Sequence, residues 1–259
     1  MKVGLALSGG GARGFAHIGV LKALVENGIP IDMIAGTSAG SIVGAAYASG
    51  MSVDELYAMA RRVGWLNMTR PSLSPLGALS NAPMGRFLAR ELGVARIEDL
   101  RMPFAAVGYD LTRCAEVVFK DAGDLIFAVR TSCAVPGVFA PLIGADGHLL
   151  VDGGVTTPLP VSVVRDMGAD VVIAVDVLSC GAGFRSNAKT AAGMMIRSAM
   201  TLLRQVSIDS HCLADIVIEP AIAHIRPDQI NKREELLRLG EEAALARLNE
   251  IKAVVSSAG

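Results

Sequence analysis

Ser38 lies at the centre of Gly36-Thr37-Ser38-Ala39-Gly40, a G-x-S-x-G pattern between an apolar run and a small-residue helical pattern. In this position the pattern predicts a sharp strand-to-helix turn that exposes a nucleophilic serine hydroxyl. The crowded backbone of such a turn needs glycine on both sides of the serine. The helix that follows points its partially positive amino terminus at the site. Ser38 is therefore the candidate nucleophile for attack on an acyl carbonyl.

A glycine-rich stretch, GGGARG at residues 9–14, follows the first apolar run of the chain. Read as G-x-G-x-x-G, it is typical of a turn that binds dinucleotide phosphates. That function requires an acidic residue after the second strand, but Asp32 stands before that strand, and no Gly-Lys-Ser/Thr follows the glycines. The alternative is a row of backbone N–H groups that stabilises an oxyanion. We predict an oxyanion hole formed by this loop, comprising Gly9, Gly10, Gly11, Arg13 and Gly14.

The glycine loop and the serine turn are expected to lie side by side. Consecutive strands of such a sheet are usually neighbours, so the loops after the first and second strands emerge together. This places the N–H groups of Gly9 to Gly11 next to Ser38. Each such donor typically stabilises the transition state by roughly 3 kcal/mol.

A serine nucleophile needs a proton acceptor, which is usually a histidine held by an aspartate. No histidine of this chain lies in a glycine-bounded loop at the end of a strand. His17 falls in the first helix, and His148 falls in a polar turn where we expect it to be exposed. His211 and His224 come late enough for the chain order Ser…Asp…His.

Asp152 is better placed than any histidine. The stretch LLVDGGV puts it at the carboxyl end of an apolar strand, followed by Gly153 and Gly154. Catalytic groups of open α/β sheets collect at the carboxyl ends of strands. A carboxylate base must be ionised and yet basic enough to take a proton, so we expect burial and a raised pKa for Asp152.

The three motifs together resemble the patatin-like phospholipase family. That family has a glycine-rich loop with a basic residue, a G-x-S-x-G serine and a D-G-[GA] aspartate, which here read GGGARG, GTSAG and DGG. Residues 128–142 also resemble the family, and the similarity runs from about Val3 to Leu178. The resemblance implies a Ser38–Asp152 dyad without histidine that hydrolyses lipid acyl esters such as phospholipids or lysophospholipids. We expect no metal site and no cofactor.

Length and composition fit one α/β domain over residues 1–259. Hydrophobic residues make up 52% of the chain and aromatic residues 4%, so the core should be aliphatic. Short Val/Ile/Leu runs alternate with helical patterns, which favours a mainly parallel sheet between two helical layers. We therefore predict a three-layer α/β/α, patatin-like fold. The net charge of −1 is unlike that of nucleic-acid binders, so no such partner is expected.

Cysteine usage and the early part of the chain indicate a reducing compartment. The four cysteines are far apart and form no C-x-x-C pair, so we predict free thiols: Cys114, Cys133, Cys180 and Cys212. The first apolar stretch is broken by glycines and does not read as a signal peptide. The uncharged residues 33–53 are rich in Gly, Ser and Thr and predict a buried strand–turn–helix, not a membrane span. We expect a cytoplasmic protein, at most peripheral at the inner face of a membrane; the oligomeric state is not readable.

Residues 65–83 are rich in Pro, Ser, Leu and Met and show no period, so we predict a long irregular segment. Two interpretations of its apolar side chains stay open. They line an entrance for the acyl chain or touch a membrane surface, or they pack over the core. These side chains are Leu66, Met68, Leu73, Leu76 and Leu79.

Two alternatives concern function. A lipid-binding or regulatory protein on the same fold is one, although the intact Ser38 and Asp152 argue against it. A Ser–His–Asp esterase with His211 or His224 as base is another.

Arg13 has three interpretations. It contacts the oxyanion, binds a lipid phosphate, or fixes the loop through a salt bridge.

Overall fold

The computed structural model describes residues 1–178 and 191–257. Two sheets are built from short, mostly buried strands. The strands are β1 (Val3–Leu7), β2 (Met33–Thr37), β3 (Arg70–Pro71), β4 (Gly77–Ser80), β5 (Phe104–Asp110), β6 (Ala115–Phe119), β7 (Gly137–Phe139), β8 (Leu142–Ile143), β9 (Leu149–Asp152), β10 (Val171–Val175) and β11 (Ile216–Ile218).

The main sheet has eight strands in the order β11-β10-β1-β2-β5-β9-β8, with β6 paired to β5. Its centre is parallel: Ala6 of β1 is level with Ala35 of β2 on one side and with Ala174 of β10 on the other. The predicted neighbouring of the first two strands is therefore confirmed. The loops that leave β1 and β2 emerge together at one edge of the sheet.

Helices cover both faces of this sheet, as predicted. They are α1 (Phe15–Glu26), α2 (Ala39–Ala48), α3 (Val53–Arg62), α4 (Trp65–Met68), α5 (Ala82–Leu92), α6 (Leu125–Ser132), α7 (Val161–Asp166), α8 (Ala191–Ser210), α9 (Arg233–Ala246) and α10 (Leu248–Ser257). Leu5 and Leu7 pack on the face covered by α1, α2 and α9, whereas Ala6 packs on the α7 face. This alternation of successive side chains gives the mixed α/β, mostly parallel three-layer fold.

Residues 65–83 are not one irregular segment, so that prediction is wrong. They contain α4, β3 and β4, and β4 pairs in parallel with β7 to form a second small sheet. A four-residue helix and a two-residue strand are too short to show a period. The C-terminal helical region is divided in two, because α9 ends before Arg247 and α10 begins at Leu248.

The sequence also predicted four free thiols and no membrane span. None of the helices described is long and apolar enough to cross a bilayer. Cys114, Cys133 and Cys212 are free thiols. Cys180 lies outside the described residues.

Candidate active site

The serine turn has the geometry that its sequence predicts. Ser38 joins β2 to α2 with φ 52° and ψ −122°, a conformation that costs a non-glycine residue on the order of 1–3 kcal/mol. A Cβ on Gly36 would lie 2.4 Å from the backbone of Gly40, and a Cβ on Gly40 would lie 2.2 Å from the carbonyl oxygen of Leu7. Both glycines are therefore required by close backbone packing. Ser38 itself is only 9% exposed.

The glycine loop lies against this turn. A Cβ on Gly9 would be 3.3 Å from Cβ of Ser38, so the two backbones approach closely. At the other end of the loop, a Cβ on Gly14 would be 2.5 Å from Cβ of Ala39, the first residue of α2. The loop thus packs along the turn from the nucleophile to the start of the helix.

The N–H groups of the loop are not all available to a ligand. Gly9 donates its N–H to the carbonyl oxygen of Pro158 at 2.9 Å. Within the described residues, the N–H groups of Gly10 and Gly11 donate no hydrogen bond. Gly11 has φ 59°, and a Cβ there would lie 2.6 Å from the carbonyl oxygen of Pro227, so only glycine fits.

Arg13 is buried inside the protein. Its Nε donates a hydrogen bond to the carbonyl oxygen of Ile225 at 2.7 Å, and the neighbouring Ala12 N–H donates to the carbonyl oxygen of Pro227 at 2.7 Å. Of the three interpretations of Arg13, this bond fits fixation of the loop. The acceptor of this Nε bond is a backbone carbonyl, whereas the interpretation from sequence named a salt bridge.

Asp152 reaches the site by a route that the sequence did not predict. It ends β9, which runs antiparallel to β5, and it is level with Gly108. The preceding residue of β5, Val107, is level with Thr37 at the end of the parallel strand β2. β5 extends beyond β2, and β9 pairs with this extension while running back toward the site. Asp152 therefore lies across β5 from Ser38, although the direction of its strand is opposite to the one assumed.

The Asp152 carboxyl group is 4% exposed. Its Oδ1 accepts a hydrogen bond from the N–H of Gly154 at 2.7 Å, and its Oδ2 has no hydrogen-bond partner among the described residues. Burial raises the pKa of Asp152 to about 7, while the Gly154 bond and the nearby Ser38 hydroxyl act to lower it. The two side chains are close but form no hydrogen bond here. A carboxyl group with this pKa can act as a base near neutral pH.

One short segment links the three motifs. The Oγ1 of Thr37 donates a hydrogen bond to the carbonyl oxygen of Thr157 at 2.8 Å. The next residue, Pro158, accepts the N–H of Gly9. The segment that begins with Asp152 is thus bonded to the end of β2 and to the glycine loop, which sets their relative positions.

The end of α6 supports the nucleophile from another side. The N–H of Ser38 donates to the hydroxyl of Ser132 at 2.8 Å, and both residues are buried. The thiol of Cys133 lies beside them. Burial and then the charge of Asp152 raise the pKa of this thiol far above its usual range, while the hydroxyls of Ser41 and Ser38 lower it. Cys133 is therefore protonated at neutral pH and packs as a small apolar side chain.

The histidines have partners away from Ser38. The Nε2 of His17 lies 2.8 Å from the carbonyl oxygen of Ser8. Burial lowers the pKa of His17 to about 4, against the raising effects of the Ser8 bond and the Asp176 charge. His148 is half-buried, so its predicted exposure is wrong. The other three each place a ring nitrogen 2.8 Å from a carboxylate oxygen: His148 with Asp110, His211 with Asp176, and His224 with Glu235.

One group of described side chains has donor atoms spaced for a metal ion. Asp176, His211 and Glu219 place ligand atoms within 4.8 Å of one another. The guanidinium of Arg204 already bonds to both carboxylates, with Nη1 2.6 Å from Asp176 and Nη2 2.5 Å from Glu219. Because Arg204 supplies the positive charge, the group is better described as an ion-pair network that ties α8 to the end of β10.

All three motifs lie within the region matched by one protein-family model. A sequence model described as patatin-like phospholipase matches residues 5–165, which contain the glycine loop, the serine turn and the Asp-Gly-Gly motif. The chain belongs to the patatin-like phospholipase family.

Relatives with this domain are much longer proteins. Human patatin-like phospholipase domain-containing protein 6 is 41% identical over 184 residues, covering 68% of this chain and 13% of that protein. An uncharacterized NTE family protein of Mycobacterium tuberculosis is 41% identical over 185 residues, covering 70% of this chain and 51% of that protein. This chain thus spans about half, or far less, of the relatives that it matches.

Solved structures share the fold at low sequence identity. VipD from Legionella pneumophila aligns with a TM-score of 0.67 and 15% identity, over 96% of this chain and 67% of that one. ExoU from the type III secretion system of Pseudomonas aeruginosa aligns with a TM-score of 0.55 and 16% identity, over 97% of this chain and 52% of that one. These alignments support the α/β patatin-like fold.

Several residues that hydrogen-bond to the three motifs could not be identified from the sequence. Ser132 lies in the stretch 128–142 that resembles the family, but nothing marks its hydroxyl as the partner of Ser38. Thr157 and Pro158 act through backbone carbonyl oxygens, so their residue types carry no signal. These contacts depend on the fold of the chain and only the structure reveals them.

Proposed function

We propose that this chain hydrolyses lipid acyl esters, of the phospholipid or lysophospholipid class, through a dyad of Ser38 and Asp152. The observation that carries the proposal is the buried carboxyl group of Asp152, which lies beside the strained Ser38 and whose Oδ2 has no hydrogen-bond partner among the described residues. An unpaired buried carboxylate oxygen is costly, and a reactive site is the usual place for such a group. Family membership supports the same chemistry.

The reaction would proceed in two steps. The Oγ of Ser38 attacks the ester carbonyl while Asp152 takes the hydroxyl proton, and Asp152 then gives that proton to the leaving alcohol. A water molecule then attacks the acyl-enzyme and loses a proton to Asp152. Asp152 returns this proton to the Oγ of Ser38 as the acyl–oxygen bond breaks and the fatty acid is released. No histidine takes part in this scheme.

The glycine loop would stabilise the oxyanion of both tetrahedral intermediates. We assign the donors to the N–H groups of Gly10 and Gly11, because Gly9 already donates to Pro158. The N–H of Ser38 is likewise engaged, by Ser132. Arg13 would keep the loop in place through its bond to Ile225 and would not contact the substrate.

The two alternatives have less support. A purely regulatory or lipid-binding protein does not need a strained serine beside an unpaired buried carboxylate. A Ser–His–Asp esterase needs a histidine at Ser38, and all four histidines are bonded to other groups. A single domain over residues 1–259, a cytoplasmic location and peripheral contact with the inner face of a membrane stay predictions.

Fluorophosphonate labelling tests the proposal. These reagents phosphonylate an activated serine, and mass spectrometry of the labelled protein locates the modified residue. We expect a single site at Ser38, with no labelling of Ser38→Ala and retained labelling of Ser49→Ala, a buried serine at the end of α2 away from the motifs. Release of fatty acid from phosphatidylcholine and lysophosphatidylcholine should disappear in Ser38→Ala. Labelling at another residue, or full hydrolysis by folded Ser38→Ala, would remove Ser38 from the mechanism.

A further inference from the structure

One part of the surface near the site combines exposed apolar side chains with positive charge. We call it the arginine–leucine face. It comprises Leu66, Arg70, Leu73, Leu76, Arg86 and Arg130.

The leucines of this face are unusually exposed. Leu66 on α4 is 96% exposed, Leu73 is fully exposed and Leu76 is about half exposed, the last two lying between β3 and β4. A single exposed leucine is ordinary, but several in one short segment indicate an interaction surface. Of the two interpretations of this segment, packing over the core fits Met68, which lies against the core, but not these three.

The arginines of this face are not neutralised. Neighbouring arginines are paired, Arg61 with Glu234 and Arg62 with Glu91. Within the described residues, by contrast, Arg70, Arg86 and Arg130 form no ion pair with a carboxylate. The Nε of Arg130 instead donates to the side-chain oxygen of Asn81 at 3.2 Å.

The three arginines are also close together. A Cβ on Gly85 would lie 2.5 Å from Cδ of Arg130, and Arg86 is the next residue of α5. Arg70 is level with Ser80 in the antiparallel pair of β3 and β4. The pKa of Arg130 is lowered, first by partial burial and then by the positive charges of Arg86 and Arg70, while the carboxylate of Asp124 acts in the opposite direction.

The elements that carry this face are linked to the candidate active site. β4 is hydrogen-bonded to β7, with Gly77 level with Gly137. Arg130 lies on α6 two residues before Ser132, which bonds to Ser38. The face and the candidate nucleophile are therefore both connected to helix α6.

We propose that the arginine–leucine face docks the protein on an anionic phospholipid surface. The arginines would bind headgroup phosphates while the leucines enter the layer of acyl chains. This combination matches a bilayer, which presents negative charge above an apolar layer, better than it matches an acidic protein surface. The inference rests on the proposed lipid hydrolase function and adds a preference for anionic membranes.

Vesicle co-sedimentation tests docking separately from catalysis. The full chain carrying Ser38→Ala is mixed with vesicles of phosphatidylcholine alone or with added phosphatidylglycerol. We expect binding to the anionic vesicles only, weakened by salt. Each arginine near such a surface is worth about fivefold in partitioning, so Arg86→Glu should weaken binding by at least about fivefold. Lys252→Glu, an equal charge change on the exposed side of α10, is the matched control and should bind as before.

A second pair of variants tests the apolar part. Leu73→Ser should weaken binding to the same vesicles, whereas Leu245→Ser, at an exposed position on α9, should not. Equal binding to neutral and anionic vesicles, or equal loss in Arg86→Glu and Lys252→Glu, would overturn the proposal. So would a dimer in solution that Leu73→Ser separates, because the face would then be an interface between two copies. Failure of docking with intact Ser38 labelling would leave the hydrolase proposal standing.

Discussion

The N–H of Ser38 donates a 2.8 Å hydrogen bond to the hydroxyl of Ser132. This bond joins the candidate nucleophile to the end of α6. Ser38 holds a strained backbone conformation, and such strain persists only where surrounding contacts maintain it. We therefore infer that Ser132 is a positioning residue, since its hydroxyl accepts the backbone N–H of Ser38.

Replacing Ser132 by alanine should lower both stability and turnover. The buried N–H of Ser38 would lose its acceptor, which costs about 1–3 kcal/mol in unfolding free energy. Small displacements of a nucleophile can reduce the rate by as much as about a hundredfold, so we expect kcat for a soluble ester to fall at least tenfold with little change in KM.

The matched control for Ser132→Ala is Ser49→Ala, because Ser49 is also buried and bonds to a backbone carbonyl outside the site. It should lose stability without losing kcat. An equal loss of kcat in the two variants would contradict a positioning role for Ser132.

Hydrolysis should depend on the ionisation of Asp152. Burial raises the pKa of this carboxyl to about 7, and only the carboxylate accepts a proton from Ser38. We expect kcat/KM for a soluble ester to rise with pH and to reach a plateau above about pH 7. A profile that is already flat from pH 5 upward would show that the base has an ordinary carboxyl pKa.

Ionisation of Asp152 at high pH should lower the unfolding free energy of the protein. Its pKa is raised from 3.8 to about 7 on folding, so the folded state favours the protonated form. That advantage is fully present below the unfolded pKa and is lost as pH rises through the folded pKa. The unfolding free energy of Asp152→Asn minus that of the wild type should therefore increase between about pH 4 and pH 7, by about 4 kcal/mol in total.

Denaturant unfolding of both proteins across this pH range gives the difference directly. His17 titrates in the opposite sense, since its pKa is lowered to about 4 on folding, but it is present in both proteins and cancels. A difference that does not change with pH would mean that burial does not perturb Asp152.

The predictability of the site from sequence differs among its parts. Gly36 and Gly40 flank a serine in a pattern with strict steric requirements, so the turn was readable from residue types alone. The neighbouring position of the glycine loop followed from the pairing preference of consecutive strands. The two glycines that follow Asp152 mark it as a candidate in the sequence. The antiparallel direction of β9 depends on long-range pairing with β5, and no local pattern reveals it.

The contacts that hold the site together were not predictable for a different reason. The carbonyl oxygens of Thr157 and Pro158 bind Thr37 and Gly9, and a backbone carbonyl has the same chemistry in every residue type. The small sheet of β3, β4 and β7 was missed because its strands are shorter than any usable period. Sequence patterns predict the reacting groups better than the groups that support them.

Nucleotides should not bind the glycine loop. The carboxylate of Asp32, the only acidic residue near the required spacing, accepts the N–H of Val3 at 2.6 Å, at the opposite edge of the sheet from the loop. Calorimetry with NAD and ATP should give no measurable heat of binding. Micromolar affinity that is lost in a Gly11 variant would overturn the oxyanion assignment.

The identity of the base separates a dyad from a triad. Asp152→Asn keeps the size of the side chain and an acceptor for the N–H of Gly154, but it removes basicity. A general base typically contributes roughly a hundredfold to ten-thousandfold in rate, and we expect a loss of kcat in that range. Glutamine at each histidine position should leave most of the activity, because every histidine ring is bonded to a group other than Ser38. The substitutions are His17→Gln, His148→Gln, His211→Gln and His224→Gln.

His17→Gln is the most demanding of these controls, since His17 supports the carbonyl of Ser8 directly before the glycine loop. Its neutral ring donates to that carbonyl, and glutamine keeps a donor there, so the loop should stay in position. Each variant must first match the wild type in circular dichroism, because an unfolded protein loses activity for any reason. Fluorophosphonate labelling rates then report on Ser38 directly. A folded histidine variant that labels as slowly as Asp152→Asn would identify a triad hydrolase, and the assignment of Asp152 as the sole base would fail.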